Sequence, residues 1–92
     1  MDRKQQHEQI LTHYGYENQI DHLRKECIEL AHACDRYLDG KDELTASGGV
    51  IEEIADVMVL MGQLMPILGE GDIDEIMQEK IDRTLSRIEE AE

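Results

Sequence analysis

The chain of 92 residues carries a formal net charge of −13 and contains neither Phe nor Trp. A length of this order supports one domain, so we expect residues 1–92 to form a single unit whose modest core is completed by oligomerisation. The negative charge argues against a nucleic-acid polymer or a membrane as partner, because anionic phosphates attract Lys and Arg patches. No segment is as apolar as a membrane span or a signal peptide, which indicates a cytoplasmic protein.

The spacing of apolar residues and glycines predicts an all-α fold, a bundle of about four helices. These helices cover residues 3–14, 17–38, 47–68 and 72 to near the end of the chain. Ser47 suits the N-cap position of the third helix. Asp72, followed three residues later by Glu75, predicts a capping box at the start of the fourth.

Two of these helices carry apolar patterns that bear on packing. The second helix predicts a coiled-coil-like seam, because its apolar residues alternate three and four positions apart. The residues of this seam are Ile20, Leu23, Cys27, Leu30, Cys34 and Tyr37. The third helix is apolar all round at 57–61, which is typical of a helix buried on most sides.

Two carboxylates interrupt the apolar pattern of the third helix. Glu53 and Asp56 are three residues apart, and helical geometry places Leu60 between their directions. Burying an ionised acid is costly without a partner, so we expect a cation beside this pair. Glu52 points away from the same stripe and is expected to be solvated.

The second helix offers a matching pair of acids. Glu26 and Glu29 are also three residues apart and therefore share a face. If the second and third helices pack antiparallel, both pairs can face one point. Four oxygen ligands without a thiolate form a hard site that suits Mg²⁺, and also Mn²⁺. Pairs of Glu at this spacing are common on solvated helices, so Glu26 and Glu29 alone carry less weight.

The string Glu26-Cys-Ile-Glu29, then a spacer of residues 30–52, then Glu53-Ile-Ala-Asp56, resembles the signature of the MazG-like all-α NTP pyrophosphohydrolases. That signature is ExxE followed at a variable distance by ExxD. The segment 80–89 is similar to the basic part of the family's last helix. The resemblance covers about residues 20–90 and implies a MazG-like helical bundle completed by dimerisation. The chain departs from the family at Lys25, where a further glutamate is common.

The resemblance implies a Mg²⁺-dependent enzyme that cleaves a (deoxy)nucleoside triphosphate to the monophosphate and pyrophosphate, as a homodimer or tetramer. One acid of the site would accept a proton from the attacking water. The implied metal ligands are Glu26, Glu29, Glu53 and Asp56, the implied catalytic residues are Glu29 and Glu53, and the implied phosphate-binding residues are Lys80 and Arg83.

Two other classes of protein stay open at this point. Glu29-Leu-Ala-His32 is an ExxH pair of the kind that binds iron in di-iron carboxylate bundles, which need a second such pair and two further glutamates. A non-enzymatic helical interaction module is the other alternative, because the seam of the second helix suits a partner helix. Such a module has no need of acids at Glu53 and Asp56.

Overall fold

The structure, a computed structural model, describes residues 1–41 and 49–91, and these residues form four α-helices and no strand. The helices are α1 (Arg3–Tyr14), α2 (Tyr16–Leu38), α3 (Val50–Leu68) and α4 (Glu70–Ala91). The prediction of an all-α fold with about four helices is confirmed. Across the described ranges, none of the helices is long and apolar enough to cross a membrane.

A capping box begins the first helix and a glycine ends it. A capping box that the sequence analysis did not identify begins it: Asp2 Oδ1 accepts from Gln5 N at 2.8 Å, and Asp2 N donates to Gln5 Oε1 at 2.9 Å. Gly15 ends it with φ 91° and ψ 152°, a conformation that is essentially restricted to glycine. Because Gly15 is the single residue between the two helices, α2 begins at Tyr16, one position earlier than predicted.

The third helix begins at Val50 with Gly49 in the N-cap position. The predicted N-cap, Ser47, lies outside the described residues. Pro66 falls in the last turn of α3, and the helix ends two residues later at Leu68. A proline in this turn removes one backbone donor, which favours an early end to the helix.

The capping box predicted at Asp72 and Glu75 is wrong, because α4 begins at Glu70. Gly69 ends α3 in a left-handed conformation, with φ 119° and ψ 77°. Its carbonyl already accepts from Ile73 N at 3.0 Å, so the bonding pattern of α4 starts at the turn itself.

The helices α2 and α3 form the antiparallel centre of the fold. Gln19 of α2 bonds Gln63 of α3, whereas Glu26, about two turns later in α2, lies beside Asp56, about two turns earlier in α3. Helix α1 contacts both of these helices, whereas α4, among the four described helices, contacts only α3. The buried apolar side chains are Ala33, Val57, Leu60 and Leu64.

The face that α2 turns toward its neighbours differs from the predicted seam. Ile20, Leu23, Leu30 and Cys34 are partly buried, but Cys27 and Tyr37 are exposed. Gln19 and Ala33 are buried instead, and Glu26 is half-buried. The buried face of α2 is thus rotated about the helix axis relative to the predicted seam, because it includes the polar side chains of Gln19 and Glu26.

Much of the apolar surface of α3 and α4 is uncovered in a single chain. Val57 and Leu60 are buried as predicted, but Met58 and Met61 are exposed, so α3 is covered on one side only. The uncovered stripe of α3 consists of Ile51, Ile54, Met58, Met61 and Leu68. Helix α4 buries no residue at all. The Cα radius of gyration is 16.3 Å, whereas a compact domain of this length has about 12 Å.

Helix α1 crosses α3 at Gly62. The imidazole of His7 lies directly against the glycine backbone, and a Cβ at Gly62 would overlap the ring. His7, Ile10 and Tyr14 are three and four residues apart, so they share one face of α1. The absence of a side chain at Gly62 therefore allows this face of α1 to lie close to α3.

Candidate metal centre

Three carboxylates from facing turns of α2 and α3 form a cluster. Glu26, Glu53 and Asp56 each offer an oxygen that lies within 4.8 Å of the others, and we call these residues the acidic cluster. Opposite ligand oxygens around Mg²⁺ are about 4 Å apart, since each is about 2.0–2.1 Å from the ion. Small side-chain rotations would therefore bring the three oxygens onto one cation.

Glu53 is the most perturbed member of the acidic cluster. Its Oε2 is buried and has no hydrogen-bond partner among the described residues. Burial raises the pKa of Glu53 above its ordinary value. The surrounding carboxylates raise this pKa further, in the order Asp56, Glu26, Glu29 and Glu52. A bound cation would provide a partner for the buried Oε2 and would reduce the repulsion between the neighbouring carboxylates.

Asp21, on the outer side of α2, provides a contrast within the same chain. Hydrogen bonds from Arg24 and Lys25 lower the pKa of Asp21, with Arg24 Nη2 2.8 Å from Oδ1 and Lys25 Nζ 3.1 Å from Oδ2. The charge of Asp21 is thus balanced by two neighbouring cations. Within the described part of the chain, the lining of the cavity beside the acidic cluster contains no Lys or Arg.

The structure brings three of the four predicted metal ligands together. Glu29 is exposed and lies outside the acidic cluster, although its charge still raises the pKa of Glu53. The expected apolar surroundings hold for Glu53, which is half-buried, but Asp56 is exposed. His32, the iron-ligand candidate, is exposed and does not join the cluster.

A cavity of about 380 Å³, which we call the amide pocket, opens beside the acidic cluster. Its polar lining comes from α2 and α3: Gln19, His22, Glu26, Asp56 and Gln63. Apolar side chains complete it: Ile10, Val59 and Leu60, with the ring of Tyr14. A larger open groove of about 1010 Å³ follows α1, but its lining contains no residue of the acidic cluster.

Two side chains of the amide pocket contact each other across the helix pair. Gln19 Nε2 donates to Gln63 Oε1 at 2.8 Å, and both residues are only 4% exposed. We call these residues the amide pair. His22 contacts the acidic cluster, with Nε2 3.3 Å from Glu26 Oε1. The sequence analysis did not identify the amide pair, because its members are 44 residues apart and no local pattern links them.

Lys80 and Arg83 lie on α4 and are exposed. Neither residue lines the amide pocket, and no contact joins α4 to α2 in the described ranges. A single chain therefore does not bring these two cations to the acidic cluster. Their assignment to phosphate binding stays a prediction.

The chain matches no protein-family model, no curated protein and no solved structure.

Proposed function

We propose that this chain is a Mg²⁺-dependent, MazG-like nucleotide pyrophosphohydrolase of the cytoplasm, which cleaves a (deoxy)nucleoside triphosphate to the monophosphate and pyrophosphate. The observation that carries the proposal is the buried Oε2 of Glu53, which has no hydrogen-bond partner in residues 1–41 and 49–91 and lies beside Glu26 and Asp56. Carboxylate oxygens without a thiolate suit Mg²⁺, and Mn²⁺ as a substitute. The ExxE and ExxD motifs link this site to nucleotide hydrolysis.

Different acids of the site would bind the cation and accept the proton of the attacking water. Glu26, Glu53 and Asp56 would hold the cation, which when bound neutralises phosphate charge and lowers the pKa of a water molecule. Glu29 is our first candidate to accept the water's proton, because it lies outside the cluster but close enough to affect Glu53. Glu53 is the second candidate. The water oxygen bonds to the α-phosphorus while the bond from this phosphorus to the α,β-bridging oxygen breaks, and pyrophosphate leaves.

The direct test is a panel of ribo- and deoxyribonucleoside triphosphates incubated with the protein and Mg²⁺. We expect at least one of them to yield the monophosphate and pyrophosphate, and we expect EDTA to stop the reaction. Release of orthophosphate instead would contradict the proposed bond cleavage. Metal analysis of the purified protein distinguishes the hydrolase from a di-iron carboxylate protein, because tightly bound iron would indicate the di-iron site.

We further propose that the protein is a homodimer or a larger homo-oligomer. A second copy would cover the uncovered stripe of α3, whose members are spaced as in the seam of a coiled coil. Helix α4, which buries no residue, needs a packing partner even more. An apolar helix face without a partner is unfavourable in water, which supports association between copies.

A charge placed in the uncovered stripe should separate the copies. Met58, which is 62% exposed, lies at the middle of the stripe, so Met58→Glu would place a carboxylate in the interface. We expect light scattering to give a dimer or tetramer for the wild type at micromolar concentration and a smaller species for the variant. Gln78→Glu on α4 is the control at a polar, exposed position. A folded wild-type monomer under these conditions would contradict the proposal.

Oligomerisation also bears on Lys80 and Arg83. Because a single chain leaves them away from the acidic cluster, we propose that they bind the phosphates of a nucleotide held by another copy. Removing a charge-assisted hydrogen bond of this kind should raise KM by about tenfold or more. We therefore expect Lys80→Ala and Arg83→Ala to raise KM for a triphosphate while the circular dichroism spectrum stays unchanged.

Arg87→Ala is the matched control for these variants, because Arg87 is exposed on the same helix and is not one of the implied phosphate-binding residues. Mixing Lys80→Ala with Glu53→Gln protein provides a second measurement. If the sites are shared between copies, the mixture regains activity that neither variant has alone at low substrate concentration. Wild-type kinetics for both alanine variants would rule out the phosphate-binding role.

The uncovered stripe of α3 also favours a second candidate, a non-enzymatic helical interaction module. In that case the stripe would bind a helix of another protein and the acidic cluster would have no catalytic role. Absence of pyrophosphate release across the whole panel, together with a monomeric state, would favour this alternative.

A further inference from the structure

The amide pocket contains groups that the acidic cluster does not need. Gln19 and Gln63 lie about two turns, or ~10 Å, along the helices from Glu26 and Asp56. Both ends line the same cavity, so one bound molecule could contact them together. One end of the pocket is thus acidic and the other is neutral and polar.

The hydrogen bonds of the amide pair determine which atom of each side chain is nitrogen. Gln63 Nε2 donates to the carbonyl of Val59 at 3.2 Å, and a carbonyl oxygen can only accept. Gln63 Oε1 is therefore the acceptor, and it receives Gln19 Nε2 at 2.8 Å. As far as the described residues go, these two bonds leave one N–H on each amide, and the Oε1 of Gln19, for another molecule.

We infer that the amide pocket binds the base of the nucleotide, and that Gln19 recognises the hydrogen-bonding edge of this base. The inference rests on the proposed function, since the phosphates would lie at the acidic cluster. A carboxamide offers a donor beside an acceptor, which complements the edge of a nucleobase. With no Lys or Arg in its described lining, the pocket favours a neutral group at the amide end.

The remaining walls suit a flat ring. Ile10, Val59 and Leu60 provide apolar surface, and the ring of Tyr14, 57% exposed, is available for stacking at the pocket. The volume of about 380 Å³ lies within the range of about 300–1,000 Å³ that is usual for small-molecule sites. The volume, the apolar walls and the polar end all suit a nucleobase.

Side-chain amide signals in ¹⁵N NMR spectra test the inference without any catalysis. Adenosine, guanosine, cytidine and uridine would each be titrated into the wild-type protein in EDTA, with ribose as the control ligand. We expect at least one nucleoside to shift the amide signals of Gln19 and Gln63 to saturation, while the signal of Gln78 on α4 stays fixed. If every nucleoside leaves both signals unmoved, or ribose moves them equally, the inference is wrong.

A variant then tests recognition by Gln19. We expect Kd values for the four nucleosides to spread over about tenfold in the wild type, the change expected from one well-formed hydrogen bond. Gln19→Leu should narrow this spread, and Gln78→Leu should not. An equal weakening of all four nucleosides would show a merely structural role for Gln19 and would overturn the inference. The wild-type titration needs no variant, so it still decides the question if Gln19→Leu fails to fold.

The two proposals can fail separately. Inorganic tripolyphosphate, which has no base, would be titrated with Mg²⁺ into the same protein. If tripolyphosphate binds and nucleoside triphosphates release pyrophosphate, but the amide signals do not respond to nucleosides, the function stands and the base pocket is wrong. If nucleosides shift the amide signals but no triphosphate releases pyrophosphate, the base pocket stands and the hydrolase is wrong.

Discussion

Glu53→Gln is expected to abolish Mg²⁺-dependent pyrophosphate release while leaving the metal-free protein as stable as the wild type, or more stable. The loss of activity should exceed about 100-fold, because replacing even the outer partners of a metal ligand costs about 10–100-fold. Stability should not fall, because the variant removes a carboxylate whose Oε2 is buried beside other acids and finds no hydrogen-bond partner in the described part of the chain. Activity and stability would then change in opposite directions.

The measurement is a melting curve of each protein in EDTA and in Mg²⁺, beside the pyrophosphate assay. Mg²⁺ should raise the Tm of the wild type, because it binds only the folded acidic cluster, and should have little effect on the variant. Glu75→Gln, at an exposed position of α4, is the matched control and should behave as the wild type. A wild type indifferent to Mg²⁺, with a Glu53→Gln variant that melts markedly earlier in EDTA, would overturn the metal centre.

The raised pKa of Glu53 also fixes how the metal-free stability depends on pH. Folded Glu53 retains its proton at pH values where the unfolded chain, with an ordinary Glu pKa of about 4.3, has lost it. The folded state then binds more protons, so the free energy of unfolding decreases as the pH rises between the unfolded and the folded pKa. Above the folded pKa this contribution is constant. The free energy of unfolding of Glu53→Gln should not show this decrease with pH, and Mg²⁺ should suppress the decrease in the wild type.

Leu64→Ala is expected to cause the largest loss of stability among single substitutions of apolar residues. Leu64 is 1% exposed, and it is the largest fully buried side chain among the described residues. Truncation of a buried leucine costs about 2–5 kcal/mol. Because only four apolar side chains of the described residues are buried, a loss of this size should be a large fraction of the free energy of unfolding. Urea denaturation followed by circular dichroism measures it.

Leu38→Ala is the control for this substitution, because it removes the same atoms from a side chain that is 79% exposed at the end of α2. A surface substitution of this kind usually changes stability by less than about 0.5 kcal/mol. If Leu64→Ala and Leu38→Ala lower the free energy of unfolding equally, Leu64 does not lie in the packed core and the prediction is wrong.

The sequence was sufficient to predict the four helices and all three members of the acidic cluster, to which it added Glu29, a residue that lies outside the cluster. Helical periodicity alone placed Glu53 and Asp56 on one side of α3, and antiparallel packing of the second and third helices predicted that Glu26 would face them. The position of Glu29 could not be predicted as well, since it depends on the rotation of α2 about its axis. That rotation is set by packing against α3, which also exposed Cys27 against expectation.

The missed features depend on geometry that no local pattern contains. The start of α4 was placed too late because Gly69 joins two helices through a single residue, so that no separate cap is needed. The contact of His7 with Gly62 depends on the angle at which α1 crosses α3. Spacing along one helix cannot give such a relation between two helices.

The bond between Gln19 and Gln63 also limits how α2 can slide along α3. A slip of one helical turn, about 5.4 Å, would place Gln19 opposite the apolar side chain of Val59 or Ile67. Both amides would then lack their partner, and an unsatisfied buried polar group costs about 1–3 kcal/mol. Leucine at both positions would pack almost equally well in several alignments, and only one of them brings Glu26 beside Asp56. Two uncharged side chains thus select the alignment that assembles the carboxylates two turns away.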